Sequence, residues 1–160
     1  MKSKKAISAV VATVLIILIT VAAVTIIWAA IIPMIKENIQ GGQECLDAVS
    51  QVSLLTDGGY TCINKSGNSS VQIQVGRGEK DFTMDNIQVT LSIGGNSKSA
   101  KVGVHIGPNE EELITLNGSI FDDKWNNISN ATKVEIAPYV RIGQTETLCG
   151  KAGEATLNSC

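Results

Sequence analysis

Residues 6–35, AISAVVATVLIILITVAAVTIIWAAIIPMI, run for thirty positions without one charged side chain, and Lys2, Lys4 and Lys5 stand directly before them. At about 1.5 Å per residue a helix of that length reaches about 45 Å, against about 30 Å for the hydrocarbon core of a bilayer. A cleavable secretory signal has an apolar region of only about 7–15 residues, so this stretch is expected to persist in the mature protein as a helix. Its hydroxyl residues, Ser8, Thr13, Thr20 and Thr25, can return their hydrogen bonds to the helix backbone. Pro33 lacks an amide donor and its ring crowds the preceding turn, so a kink or a transition is expected there. The pattern then resumes to Ile39, and Gly41-Gly42 is expected to break the helix. Lysines before the apolar run, with Lys36 offset at once by Glu37 after it, predict a cytoplasmic N-terminus and an exported remainder.

Past residue 41 the apolar period changes from helical to alternating, the mark of strands with one buried face. Val71, Ile73 and Val75 form one such set, Ile87, Val89, Leu91 and Ile93 a second, and Val102, Val104 and Ile106 a third. Gly94-Gly95-Asn96 between the second and third sets predicts an antiparallel hairpin. Further strands are expected over residues 49–55, 60–64, 113–116 and 134–142, the last interrupted by Pro138 in a way that suits an edge or a bulge. The fold class is therefore α+β: a long N-terminal hydrophobic helix followed by a small antiparallel β-sandwich head of six or seven strands. Gly76-Arg77-Gly78 reads as a hairpin turn, and His105, between Val104 and Ile106, as a solvent-facing strand residue without a role. Trp28, about one turn before Pro33, suits either a membrane interface or a neighbouring helix.

Cys45, Cys62, Cys149 and Cys160 all fall in the part expected outside, where disulfides persist. Four cysteines allow three connectivities. The expected pairs are Cys45 with Cys62 and Cys149 with Cys160, each closing a short segment that contains a glycine turn. A metal site is not expected, since there is no CxxC pair and His105 is far from all four in sequence. Glu110-Glu111-Glu112 and Asp122-Asp123 offer oxygens suited to Ca²⁺ only if the fold gathers them, and read better as solvated acidic loops.

Removing Lys2, Lys4 and Lys5 from the 13 basic residues leaves ten against 15 acidic ones, a formal net charge of −5, so no nucleic-acid partner is expected. No HExxH, GxSxG, phosphate-loop or dinucleotide motif occurs, and a lone histidine offers no acid-base pair, so neither enzymatic activity nor a cofactor is expected. Asn64, Asn68, Asn117, Asn127 and Asn130 each begin an Asn-x-Ser/Thr sequence, the acceptor pattern for N-glycosylation in an exported domain. Small residues recur at four-residue spacing in the apolar run, Ser8 with Ala12, Ala9 with Thr13 and Thr25 with Ala29, and would let helices approach closely.

The block Lys4-Lys5-Ala6-Ile7-Ser8-Ala9-Val10-Val11-Ala12-Thr13-Val14-Leu15-Ile16-Ile17 resembles the processing-and-assembly segment of archaeal type IV pilins. Bacterial type IV pilins usually carry Phe and Glu where this chain has Ala6 and Val10, which favours the archaeal type. The resemblance implies a leader over residues 1–5 cut between Lys5 and Ala6 by a prepilin peptidase, a membrane and filament-core helix over 6–40, and an exported β-rich head over 41–160. It further implies a precursor held in the membrane and then assembled by pilus machinery into a homopolymer at the cell surface. Archaellins and minor pilins share the same start. The rival expectation, of a different class, is a permanently anchored exported domain that binds a sugar or a surface-layer partner.

Overall fold

The computed structural model describes residues 9–67, 69–121 and 128–160, without the side chains of residues 9, 37, 38 and 40. The chain divides into two compact units, Met1–Gln40 and Gly41–Cys160. A single helix, α1, runs Ala9–Gln51, with Pro33 inside it. It does not stop at Gly41-Gly42 as expected. A glycine inside a helix costs only about 1 kcal/mol relative to alanine, and tertiary packing routinely overrides that. Here the last turns are held by Ala48, fully buried against Val140 and Cys149, and by a disulfide from Cys45 to Cys149. Gly41 has its own reason: a Cβ there would lie 3.1 Å from Ile142 Cδ1, a close approach that only glycine leaves free.

Among the described residues ten strands follow, more than the six or seven expected: β1 (Val52–Leu55), β2 (Cys62–Asn64), β3 (Ser70–Arg77), β4 (Asn86–Ile93), β5 (Asn96–Gly103), β6 (Glu111–Asn117), β7 (Ala131–Ile142), β8 (Thr145–Leu148), β9 (Gly153–Thr156) and β10 (Asn158–Ser159). They form two five-stranded sheets. In the first, β3 pairs along its length with β6 on one side and with β1 and then β2 on the other, and β10 joins β2 in parallel. In the second, β7 pairs with β4 on one side and with β8 and β9 on the other, while β5 lies outside β4. The inner faces share one core in which Ile63, Val71, Ile73, Val75 and Leu116 meet Ile87, Val89, Leu91, Val134 and Ile136. Each such side chain contributes roughly 1.5–3 kcal/mol of burial, which is why the alternation read from sequence survives in three dimensions.

The hairpin between β4 and β5 forms as expected, with Gly94 and Gly95 both at positive φ, 56° and 84°, as a two-residue primed turn requires. Its second strand starts at Asn96 and ends at Gly103, so Val104 and Ile106 are buried beyond the strand rather than within it. Thr90 with Ser99 at 2.7 Å and Ser92 with Ser97 at 2.9 Å pair their hydroxyls across the outer face and hold this polar strand in register.

Pro138 is neither on an edge strand nor at a bulge. Backbone N and C=O of one residue in an antiparallel strand point the same way. The Pro138 carbonyl accepts from Cys149 N–H at 2.9 Å, on the side where β9 has ended and β8 has yet to pair, so the missing donor meets a gap in the ladder. The cysteine pairing also differs from expectation: Cys45 joins Cys149 and Cys62 joins Cys160. Pairing of β10 with β2 brings the C-terminal cysteine to Cys62, and Cys160 N–H donates to the Ile63 carbonyl at 3.1 Å. With sequence separations of 104 and 98, each bridge closes a loop worth about 4–5 kcal/mol by chain entropy.

Candidate assembly helix and the surface of the β-domain

From Val10 to Ile35 every side chain of α1 except that of half-buried Ile32 is exposed, and large apolar ones such as Leu18, Ile26 and Met34 are more than half exposed. An ordinary surface helix has one apolar stripe; this segment is apolar all round, and it is long and apolar enough to cross a membrane by length and composition. Its polar groups are satisfied internally. The Thr13 hydroxyl donates to the Val10 carbonyl at 2.8 Å, Thr20 to Ile17 at 2.9 Å and Thr25 to Ala22 at 2.9 Å. Lys5, Ala6 and Ser8, the expected processing site and the first small residue, lie outside the described residues. Ala9 opens the helix, and Ala12, Thr13, Thr25 and Ala29 follow within it. At about 100° per residue, Thr13 and Thr25 stand about 120° apart around the axis, so the small pairs Ala9/Thr13 and Thr25/Ala29 lie on different sides. A helix surrounded by several neighbours has a use for two such sides. Trp28 is 64% exposed on this segment.

No family model, no curated protein and no solved structure matches this chain.

On the β-domain the expected residues are spread over its surface. Asn64 and Asn117 are exposed at the ends of β2 and β6, and Asn130 is exposed just before β7. Asn68 and Asn127 lie outside the described residues, as do Asp122 and Asp123. The three glutamates do not converge on a shared point: Glu110 accepts from Gly107 N–H at 2.9 Å, Glu111 from Gln74 Nε2 at 2.6 Å and Glu112 from His105 N–H at 2.9 Å. Among the described residues no three His, Cys, Asp or Glu side chains form a group suited to a metal. His105 is exposed, between buried Val104 and Ile106, but in the segment after β5 rather than on a strand.

Arg77 is where the domain interior departs from expectation. Gly76 and Arg77 are the end of β3, not a turn. The guanidinium is buried, donating from Nη1 to the Ile106 carbonyl at 2.9 Å and from Nη2 to the carbonyls of Lys80 at 3.1 Å and Phe82 at 2.7 Å, and it lies 4.2 Å from the centre of the Phe82 ring. One side chain thus ties the segments after β3 and β5 together. A signal for it was present in sequence: Arg77 keeps the parity of Val71, Ile73 and Val75 and so faces inward with them.

Ion pairs stand on the outer face of the second sheet, among them one group around Glu146 and one around Glu154. Lys101 pairs with Glu146 and sits 4.7 Å from the centre of the Tyr139 ring, while Asn86 Nδ2 donates to the same carboxylate at 2.6 Å. The bonds from Lys101 first, and Asn86 second, hold Glu146 below the usual carboxylate range. Lys133 lies 2.8 Å from both Glu135 and Glu154, and Lys151 2.5 Å from Glu154. Hydrogen bonds from Lys133 and then Lys151 lower Glu154 from 4.5 to about 2, and the bonds to Glu135 and Glu154 raise Lys133 above the ordinary lysine range.

Proposed function

We propose that this chain is a structural, pilin-like subunit that is held in a membrane as a precursor and then assembles with copies of itself into a surface filament through the apolar part of α1. The observation that carries the reading is a charge-free helical segment exposed on every side, with each described threonine hydroxyl already bonded to its own helix. Such a surface has two chemically equivalent surroundings, lipid tails and other apolar helices. Lipid is as apolar as leucine, so transfer from one to the other is driven by packing, for which Ala12, Thr13, Thr25 and Ala29 leave room. The resemblance of residues 4–17 to archaeal type IV pilins adds the cut after Lys5, which would free the helix from its cytoplasmic anchor. Its partners in this reading are a prepilin peptidase, the assembly machinery and further copies of the chain.

The presence of one helix able to cross a membrane favours a second reading, an anchored exported domain that binds a separate partner. Mass spectrometry of the mature N-terminus combined with sedimentation separates the two. A chain beginning at Ala6 and recovered as a polymer supports the filament subunit. A chain that keeps Met1 or Lys2 and stays monomeric in membranes supports the anchor and overturns the proposal.

A further inference from the structure

The described sequon asparagines gather at one end of the β-domain. Asn64 and Asn117 both stand across from Ser70, the first residue of β3, in the pairings of β2 and β6 with that strand. Ser70 is itself the hydroxyl residue of the Asn68 sequence. Ile63, Val71 and Leu116 beside them are fully buried, so by alternation Asn64, Ser70 and Asn117 face outward together. With strands about 4.8 Å apart, the two asparagines stand about 10 Å from each other across β3. The Asn130 sequence is tied to the same place. Ile128, inside the Asn127 sequence, donates its N–H to Ser69 Oγ at 3.0 Å, and its carbonyl accepts from Ala131, the residue after exposed Asn130.

At the other end of β3, about 23 Å away by strand rise, Arg77 pairs with Val52, the first residue after α1, and the Gln51 carbonyl accepts from Gly78 N–H at 2.8 Å. That end carries ion pairs, Lys80 with Asp47 at 2.6 Å and Arg141 with Asp85. At the asparagine end, by contrast, Lys65 is the one charged residue in the described segments 64–70, 94–96, 117–120 and 128–132.

We propose that the end of the β-domain remote from the last turn of α1 is an N-glycan acceptor surface, with Asn64, Asn117 and Asn130 as acceptors. The co-reactant is a sugar carried on a lipid phosphate, and the catalyst is a separate membrane transferase. Asparagine Nδ2 bonds to the anomeric carbon, the bond from that carbon to the phosphate oxygen breaks, the phosphate leaves with the electron pair, and the amide gives up one proton. The chain supplies the amide and the hydroxyl two residues on, Ser66, Ser119 or Thr132. The result is a bulky, solubilising cap on one end, with the ion-paired end beside the last turn of α1 left bare. The proposal requires export of this domain and not its self-association, so a monomeric anchored chain would carry the same sugars.

The test is tandem mass spectrometry of peptides from the exported full chain recovered from its own host, with intact masses of three variants. Sugar on at least two of Asn64, Asn117 and Asn130 is expected, with loss of one glycan at each occupied site in Ser66→Ala, Ser119→Ala or Thr132→Ala. These variants keep the asparagines. Ser66→Ala also keeps the backbone N–H that donates to Asn64 Oδ1 at 3.0 Å, so loss of sugar there reads the acceptor role and not the local turn. Sugar at fewer than two of the three sites, or sugar that persists when the hydroxyl is removed, overturns the proposal.

Discussion

Arg77 sits where Val71, Ile73 and Val75 lead the eye to expect a fourth apolar side chain, and its burial is tolerable because its end groups meet three backbone carbonyls. Removing the guanidinium strands those carbonyls as well as the packing on Phe82. Arg77→Met is therefore expected to destabilise the β-domain by about 3 kcal/mol, read as a lower urea midpoint. Arg77→Lys should recover little of this, because a single ammonium cannot reproduce the planar fork. A midpoint unchanged in Arg77→Met would remove the guanidinium from its structural role. The exposed group around Glu154 acts through pH instead. Its carboxyl is lower in the folded chain than its ordinary 4.5, so its contribution is complete above that value and disappears as pH falls toward about 2. Lys133, raised when folded, keeps its contribution below its ordinary 10.5 and loses it only in strong alkali. At low salt the urea midpoint of the native chain should drop more steeply between pH 4.5 and 2 than that of Glu154→Gln, and molar salt should bring the two curves together, since these charges face solvent. Parallel curves at low salt would count against the pairing.

Among the elements, those with an unbroken apolar pattern were legible in advance and those fixed by distant partners were not. The inward sets of β3 and β4, and the double-glycine turn into β5, announce themselves because one residue in two must be apolar and the turn needs two positive φ angles. By contrast β8, β9 and β10 are four, four and two residues long and carry no alternation; they exist because β7 and β2 offer them unpaired backbone. The same cause hid the disulfides, since parallel pairing of β10 with β2 is what carries Cys160 to Cys62. The candidate site shows the same division: the apolar helix was plain from its composition, whereas the clustering of the sequons depends on strand register across β2, β3 and β6. For α1, the glycine pair was a misleading stop signal, and the two glycines are not equivalent. A Cβ on Gly42 would meet nothing within 4 Å, while one on Gly41 would press on Ile142. Gly42→Ala should stabilise the β-domain by about 0.5–1 kcal/mol, and Gly41→Ala by less. Equal gains from the two in denaturant titrations would show that Ile142 yields freely.

At the scale of the whole molecule, stability and proposed assembly draw on different residues. Every buried side chain among the described residues lies at Ala48 or beyond, whereas the apolar side chains between Val10 and Ile35 are exposed almost throughout. A change in the apolar segment should therefore reach association and leave the β-domain as it is. Ala12→Asp places a carboxylate among helices and lipid, at a cost that reaches roughly 2.5–3.5 kcal/mol at a helix centre in a bilayer and is smaller toward a helix end such as this one, and in a polymer that cost recurs in every subunit. The variant is expected to keep the near-ultraviolet circular dichroism and the urea midpoint of the native β-domain and to form no filaments by electron microscopy, while Ala12→Ser, whose hydroxyl can return its bond to the helix, still assembles. Normal filaments from Ala12→Asp would mean that α1 is not the polymer's core. Loss of the β-domain signal together with assembly would mean instead that the two sets of residues are coupled, against their separation in burial.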